Sequence, residues 1–373
     1  MEALGLNNDV TLGGKKFHIQ TSYSQPQEKI ISNVFLNGQV IESKEINVEK
    51  NLPAERIGQL MKNTHQSMIT EMEILYYISE KVKAVRHAPS ANKLGLLFIK
   101  RNLPEEAIEQ FRLALEIDPS YSEAYVNLGK AYLLTKSFDK AVEVLKQGEE
   151  KAPDFADLKN YLGLAFIYKQ EFKEAIDYLE KALDINKKYR EVHLNLAFAL
   201  LGEAIHTGSV NLPAIQLIRN RIIQHLDNSM NGQEVRRQRI EKIKELLLDE
   251  NYQEAYQILQ AEGNRILSDQ GCDFENEFYL KFMYGGKGKD DQFIQQYINR
   301  LQELLKKNPD YADIRNNLGV AYLIQCRNLF LKSLEEFRTA LKLNPNFKKA
   351  EKNLKLAEND GKGFLILLRA ILK

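Results

Sequence analysis

The chain reads as mainly α: an α-solenoid of stacked helix pairs, preceded by a small antiparallel β module and a long helix. Three observations carry that reading. From Ala88 to about Ala204 the same spaced residues return at a step of about 34, the range of stacked helical units. Ahead of them, alternating strand-forming runs flank Asn37-Gly38, the dipeptide that best signals a two-residue hairpin. Between the two, apolar residues recur at steps of three and four from Pro53 onward.

Residues 1–52 form the β module. Val10 and Leu12 lead into Phe17, His18, Ile19 and Gln20, and Ile31 to Leu36 and Gln39 to Ser43 flank the turn, so three or four short strands are expected. A sheet this small needs a neighbour to pack on. Residues 53–87 supply one: Pro53 suits a first helical turn, and Ile57, Leu60, Met61, Met68, Met72 and Leu75 form an apolar stripe. Methionine adapts to irregular contacts, and the stripe is read as core against the sheet and the first repeat.

Residues 88–205 are the array proper, three repeats and the first helix of a fourth. Ala107, Phe111, Ala114 and Pro119 align with Ala141, Leu145, Gly148 and Pro153, then with Ala175, Leu179, Ala182 and Lys187. Upstream stand Leu94-Gly95, Leu128-Gly129 and Leu162-Gly163, each followed three residues later by an aromatic: Phe98, Tyr132, Phe166. Gly and Ala allow close backbone approach, the aromatic fills the space beside them, and Pro119 and Pro153 end the second helices. These residues resemble the tetratricopeptide repeat (TPR) family. The β module is similar to short leader modules ahead of repeats in some bacterial proteins.

Residues 206–310 read as divergent helical repeats, with Leu246 to Leu248, Tyr252, Ala255, Tyr256 and Leu259 as a degenerate unit. Breaks are expected at Gly271 to Asp273 and Gly285 to Asp290. Phe293, Tyr297, Leu301 and Leu305 mark an amphipathic helix ended by Asn308-Pro309. In 311–358 the motif returns as Tyr311, Leu318, Gly319, Tyr322, Phe337, Ala340 and Pro345, about two residues longer than the period. The extra pair is assigned to a turn near Arg327 to Leu329, and Phe347 to Ala357 to a closing helix. Residues 359–373 end in an apolar tail, Phe364 to Leu372, too short to cross a membrane and too apolar to stand in water.

Composition narrows the function. With 44% hydrophobic and 28% charged residues and a net charge of +1, the chain offers no field to attract nucleic acid. Two cysteines, Cys272 and Cys326, exclude a disulfide framework, and Met1 to Leu4 opens no signal peptide. A cytoplasmic, bacterial protein is expected. The basic run from Arg236 to Lys244 is interleaved with glutamates, as on a solvated helix face. Gly285-Gly286-Lys287-Gly288-Lys289 lacks phosphate-loop spacing, and the six histidines show no ligand spacing. No enzyme, cofactor or metal is expected.

The resemblance implies a protein or peptide partner, held on the inner wall of the array by asparagine amides that both donate and accept. The matching positions are Asn127, Asn195 and Asn317, with Lys93 and Tyr161 in the corresponding places of the first and third repeats. Lys130, Leu164, Ile167, Leu194 and Phe198 are their inward neighbours. The expected function is a scaffold that binds an extended or helical peptide in this groove. The alternative is a membrane-peripheral assembly factor anchored by Phe364 to Leu372. The oligomeric state stays open.

Overall fold

The structure, a computed structural model, describes residues 5–371 apart from 51, 212–214, 231–233, 269–273 and 308; side chains at 211, 268, 289, 360–362 and 364–371 also stand outside the description. The chain divides into two units, Met1–Leu280 and Lys281–Lys373.

The first unit opens with four antiparallel strands in sequential order: β1 (Gly5–Leu12), β2 (Lys15–Ser24), β3 (Lys29–Leu36) and β4 (Gln39–Asn47). Asn37 and Gly38 both have positive φ, 51° and 79°, as a two-residue hairpin twisted like its strands requires. Alternation does the rest: Phe17, Ile19 and Thr21 of β2 and Ile30, Ser32 and Val34 of β3 are all buried. Helix α1 (Ala54–Val85) packs against the sheet, with Met61, Met68 and Met72 buried, while Leu60 at the stripe's edge is exposed. The polar groups trapped in this interface satisfy one another. Thr21 Oγ1 bonds Ser32 Oγ at 2.7 Å and His65 Nδ1 at 2.9 Å, and His65 Nε2 meets Asn8 Oδ1 at 3.0 Å. Burial lowers the His65 pKa, so the neutral ring suits this site.

Helix pairs follow: α2 (Ala88–Lys100) with α3 (Pro104–Ile117), α4 (Ser122–Leu134) with α5 (Phe138–Lys151), α6 (Ala156–Tyr168) with α7 (Phe172–Ile185), and α8 (Arg190–His206) with α9 (Ile215–Ser229). The Leu-Gly pairs explain the closeness of the partners. A Cβ on Gly129 would lie 2.5 Å from Leu145, one on Gly163 2.5 Å from Leu179, and one on Gly95 would enter the Phe111 ring. The first helix of each repeat ends on a residue in the left-handed region, Asn102, Lys136 and Gln170. The next amide then bonds back five residues, as Ser137 N to Tyr132 O at 2.8 Å, closing the helix end. The same device joins α10 (Glu234–Leu248) to α11 (Tyr252–Ser268), where Glu250 has φ 62° and Asn251 N reaches Leu246 O at 2.8 Å. The divergent region therefore keeps the repeat's turn. Helix α12 (Phe274–Met283) comes next; the expected break at 271–273 and Cys272 lie outside the described residues.

The second unit holds α13 (Asp291–Lys307), α14 (Ala312–Leu343) and α15 (Lys348–Ile371). One expectation is corrected here. No turn interrupts the chain near Arg327 to Leu329: α14 is one helix of 32 residues. Between Val320 and Asn344 there is neither Gly nor Pro to stop it. Asp291 also clamps the region, accepting from Asn328 Nδ2 at 3.2 Å and from Lys332. The glycine-rich run is a turn ending in a short 3₁₀ segment, Lys287–Lys289, with Lys287 paired to Asp290. The tail's backbone continues α15 to Ile371, and the side chains of Phe364 to Leu372 lie outside the described residues. Among the described residues no helix is long and apolar enough to cross a membrane.

The helix contact is open to test. Ala141, fully buried against α4, has no room for a larger side chain. Ala141→Leu should cost ~1–3 kcal/mol through overpacking, and Gly129→Ala should destabilise in the same direction. Urea denaturation of both variants checks this; midpoints equal to the parent's would place the seam elsewhere.

Candidate functional site: the groove of the helical array

Along the array α2, α4, α6 and α8 stand side by side and form its inner wall. The apolar candidates lie there together: Leu164, Ile167, Leu194 and Phe198, each buried. What buries them is the chain itself. Helix α11 packs on α10, its partner in the divergent pair, and also on α4 and α8. The Tyr256 ring centre lies 5.0 Å from that of Phe198, and Tyr168 Oη donates to Asn264 Oδ1 at 2.7 Å. Gly263 keeps α11 close: a Cβ there would stand 3.4 Å from the Tyr168 hydroxyl.

Helix α12 covers the start of the wall with polar contacts. Asn276 Oδ1 accepts from Lys93 Nζ at 2.7 Å, Tyr279 Oη meets Ser90 Oγ at 3.2 Å, and Lys93 sits 5.6 Å from the Tyr279 ring centre. Glu277 pairs with Lys100 at 3.3 Å and with Arg101 at 3.7 Å. Arg101, buried, also reaches Glu42 of β4 at 2.6 Å and Glu71 of α1 at 3.3 Å. Burial by itself would lower its pKa, but the carboxylates of Glu42, Glu277 and Glu71 more than offset that and raise it. One guanidinium thus holds β4, α1, α2 and α12 together.

The asparagines are committed differently from the sequence expectation. Asn195 is not open to the groove; it is buried and donates from Nδ2 to Asn160 Oδ1 at 2.8 Å. Asn127, half-buried, donates to Asn92 Oδ1 at 2.9 Å. The amides join neighbouring first helices in pairs. Asn92 and Asn160 were not singled out from the sequence, though they stand two periods apart, one place before the expected position. Lys130 is half-buried 5.1 Å from the centre of the Tyr161 ring, and burial lowers its pKa despite nearby Glu191 and Asp157. Glu191 closes the cluster, accepting from Tyr161 Oη at 3.0 Å and Asn160 Nδ2 at 3.4 Å, with its own pKa raised by burial. Asn317 lies on α14, in the second unit.

At the far end of the wall His193 Nε2 donates to Lys187 O at 3.1 Å, which leaves its Nδ1 to accept from His225 Nδ1 at 2.9 Å. Burial first, then His193 and Arg221, push the His225 pKa down to about 4. Beside it a polar cavity of about 800 Å³ is lined by Lys187, Arg190, Glu191, His193, Met230 and Arg236. Among the described residues no cluster of three or more His, Cys, Asp or Glu could hold a metal.

Tetratricopeptide repeat models match residues 98–164, 156–189 and 298–346. The chain carries tetratricopeptide repeats over these residues. No curated protein matches it. Among solved structures it is similar to crystalline MamA, at 21% identity and TM-score 0.35 over 45% of this chain and 90% of that one. It is similar to TTC0263, a thermophilic TPR protein in Thermus thermophilus, at 15% identity and TM-score 0.34 over 64% and 100%. It is also similar to the first TPR of Spaghetti (RPAP3) bound to an HSP90 peptide, at 21% identity and TM-score 0.29 over 29% and 86%. The TPR matches cover the helix pairs α3 to α7 and return over α13 and α14, and they leave the β module, α1 and the groove-filling α11 and α12 unmatched.

Two outcomes follow from this geometry. Asn195→Ala strips a buried acceptor, Asn160 Oδ1, of its donor and should cost ~1–3 kcal/mol, whereas Asn127→Ala, at a half-buried site, should cost ~1 kcal/mol or less. Denaturant midpoints decide it, and equal losses would contradict the pairing. His225 resists protonation in the fold, so below pH 6.5 the unfolded chain takes up a proton that the folded chain refuses. Stability should therefore fall on the order of 2 kcal/mol between pH 6.5 and 4 from this site and level off below. Replacing His225→Gln should flatten that slope; an unchanged slope would rule the histidine out.

Proposed function

We propose that this protein is a non-catalytic protein-interaction scaffold whose groove accepts an amphipathic helix, with α11 as its resident occupant. The observation that carries this is α11 itself. The second helix of the divergent pair α10–α11 leaves the line of the array and lies on the inner wall, against α4 and α8, with Tyr256 against Phe198 and Asn264 bonded to Tyr168, the arrangement of a helix laid by one face into a groove. Of the two peptide forms open at the level of sequence, the helix is therefore favoured over the extended strand. The wall's amides are engaged with one another, so they are not spare partners for an extended backbone.

A partner helix has to compete with α11. A tethered segment acts at an effective concentration of order mM, and a free partner's apparent affinity falls accordingly. Lowering the occupancy of the resident helix should raise binding. A labelled peptide with the sequence of residues 252–268 is the probe, titrated into the full chain and into Tyr256→Asp, which places a charge on the α11 face that meets Phe198. The variant should bind at least tenfold more tightly than the parent, and adding Phe198→Ala to it should remove the gain. A variant with a cooperative melt that binds the peptide no better than the parent would show that the groove is not a helix acceptor.

A further inference from the structure

Helix α14 carries the residues with which the first three repeats close a helix pair, yet within one chain those residues cannot meet. In the repeats the Leu-Gly pair and the aromatic after it are buried, as Leu94 with Phe98 and Leu162 with Phe166. Their counterparts in α14 are not: Leu318 is half-buried and Tyr322 is 45% exposed. Phe111, Leu145 and Leu179 are completely buried, whereas Phe337 is only half-buried. The decisive contrast is at the glycine. A Cβ on Gly129 or Gly163 would collide with its partner, but one on Gly319 meets nothing within 4 Å. In an unbroken helix Gly319 and Phe337 stand about 27 Å apart along the axis, at 1.5 Å per residue.

The face that carries these residues is a continuous stripe, only partly covered within the chain. Gly319, Leu323, Cys326, Phe330, Ser333, Phe337 and Ala340 alternate steps of four and three, the spacing of a coiled-coil seam, and none of them is buried in the single chain. Helix α13 covers a different face, that of Ala321, Ile324 and Asn328, and α15 packs along α14 as well, with Arg338 donating to Glu358. The stripe is also its own complement. With a second α14 laid antiparallel about a two-fold at Asn328, Gly319 falls opposite Phe337, Leu323 opposite Ser333 and Cys326 opposite Phe330. Each pair sets a large residue against a small one, and each recurs on the other side of the axis, as an isologous contact requires. At the ends exposed Asp313 comes beside exposed Lys342, opposite in charge.

We propose that α14 is the seam of a homodimer: two copies of this chain exchange halves of their C-terminal repeat, the Phe337 of each filling the space over the other's Gly319. The physical cause is the absent turn. A helix pair that a hinge would close within one chain is completed between two chains when the hinge is helical.

Sedimentation equilibrium of the full chain across a hundredfold concentration range tests this. The expected species has twice the mass of the 43.0 kDa chain. Gly319→Ala separates the possibilities by sign. On a lone helix it adds a methyl group to open space and removes an interior glycine, so the melting temperature would rise with the mass unchanged. In the dimer the methyl meets Phe337, and the dissociation constant should rise at least tenfold. Arg327→Gly combined with Asn328→Gly supplies a hinge and should yield monomers of unchanged helix content. In a Cys272→Ser background a short bis-maleimide should join Cys326 to Cys326, since both flank the axis. A single-chain mass at every concentration, a dimer indifferent to Gly319→Ala, or a dimer that the reagent does not join through Cys326 would each overturn the proposal.

Discussion

The structure depends on one close approach, repeated: a glycine on the first helix of a pair against a large apolar side chain on the second. Where the contact is made, as by Gly129 and Leu145 or Gly163 and Leu179, two backbones come near enough to bury everything around them. Interiors packed at crystal density leave no slack at such a point, so a single methyl group matters there. The turn that follows each glycine is as regular as the contact. A residue held in the left-handed region and an amide bonded back five residues reverse the chain and deliver the second helix to the first. At α14 the glycine and the large side chain are both present, the reversal is absent, and the contact is left unmade within the chain.

A solenoid of this kind has an inner wall, and an apolar wall needs a cover. Here α11 and α12 provide it by different means. Helix α11 brings Tyr256 to the apolar end, and α12 brings Asn276, Glu277 and Tyr279 to the basic residues of α2 and its C-terminal end. The division suits the chemistry of each end: burial of apolar area is non-directional, whereas the pairs around Lys93, Lys100 and Arg101 fix a register. Arg101 extends the arrangement to the β module, since its guanidinium joins Glu42, Glu71 and Glu277, three carboxylates far apart in sequence. A buried charge so surrounded specifies where the parts sit more than it stabilises them.

The asparagines of the wall are committed to one another in pairs. Asn127 and Asn195 occupy the place that faces the groove in each repeat, and both do lie on the wall. Their donors are spent on Asn92 and Asn160 of the neighbouring helix, because an amide buried beside another amide is satisfied there rather than kept for a ligand.

Periodicity and turn chemistry, which are local, were legible in the sequence. The Asn37-Gly38 hairpin, the methionine stripe of α1, the helix pairs of the array and the repeat character of Tyr252 to Leu259 could all be read from residue spacing. The same spacing marks Leu164, Ile167, Leu194 and Phe198 as inward neighbours on α6 and α8, and all four are buried. What covers the wall was not legible, since α11 docks on residues that stand from about fifty to over a hundred positions earlier, and no local pattern encodes such a contact. The length of α14 was decided by local propensity and tertiary contact together. Its sequence carries the landmarks of a helix pair but no Gly or Pro at the expected turn, so local helix propensity prevailed. Asp291, brought alongside by α13, holds Asn328 and Lys332 where the turn would have been. Sequence alone thus determined the repeating unit and its packing surfaces, and the tertiary structure decided which of those surfaces the chain covers itself, because covering them is a matter of long-range docking rather than of spacing.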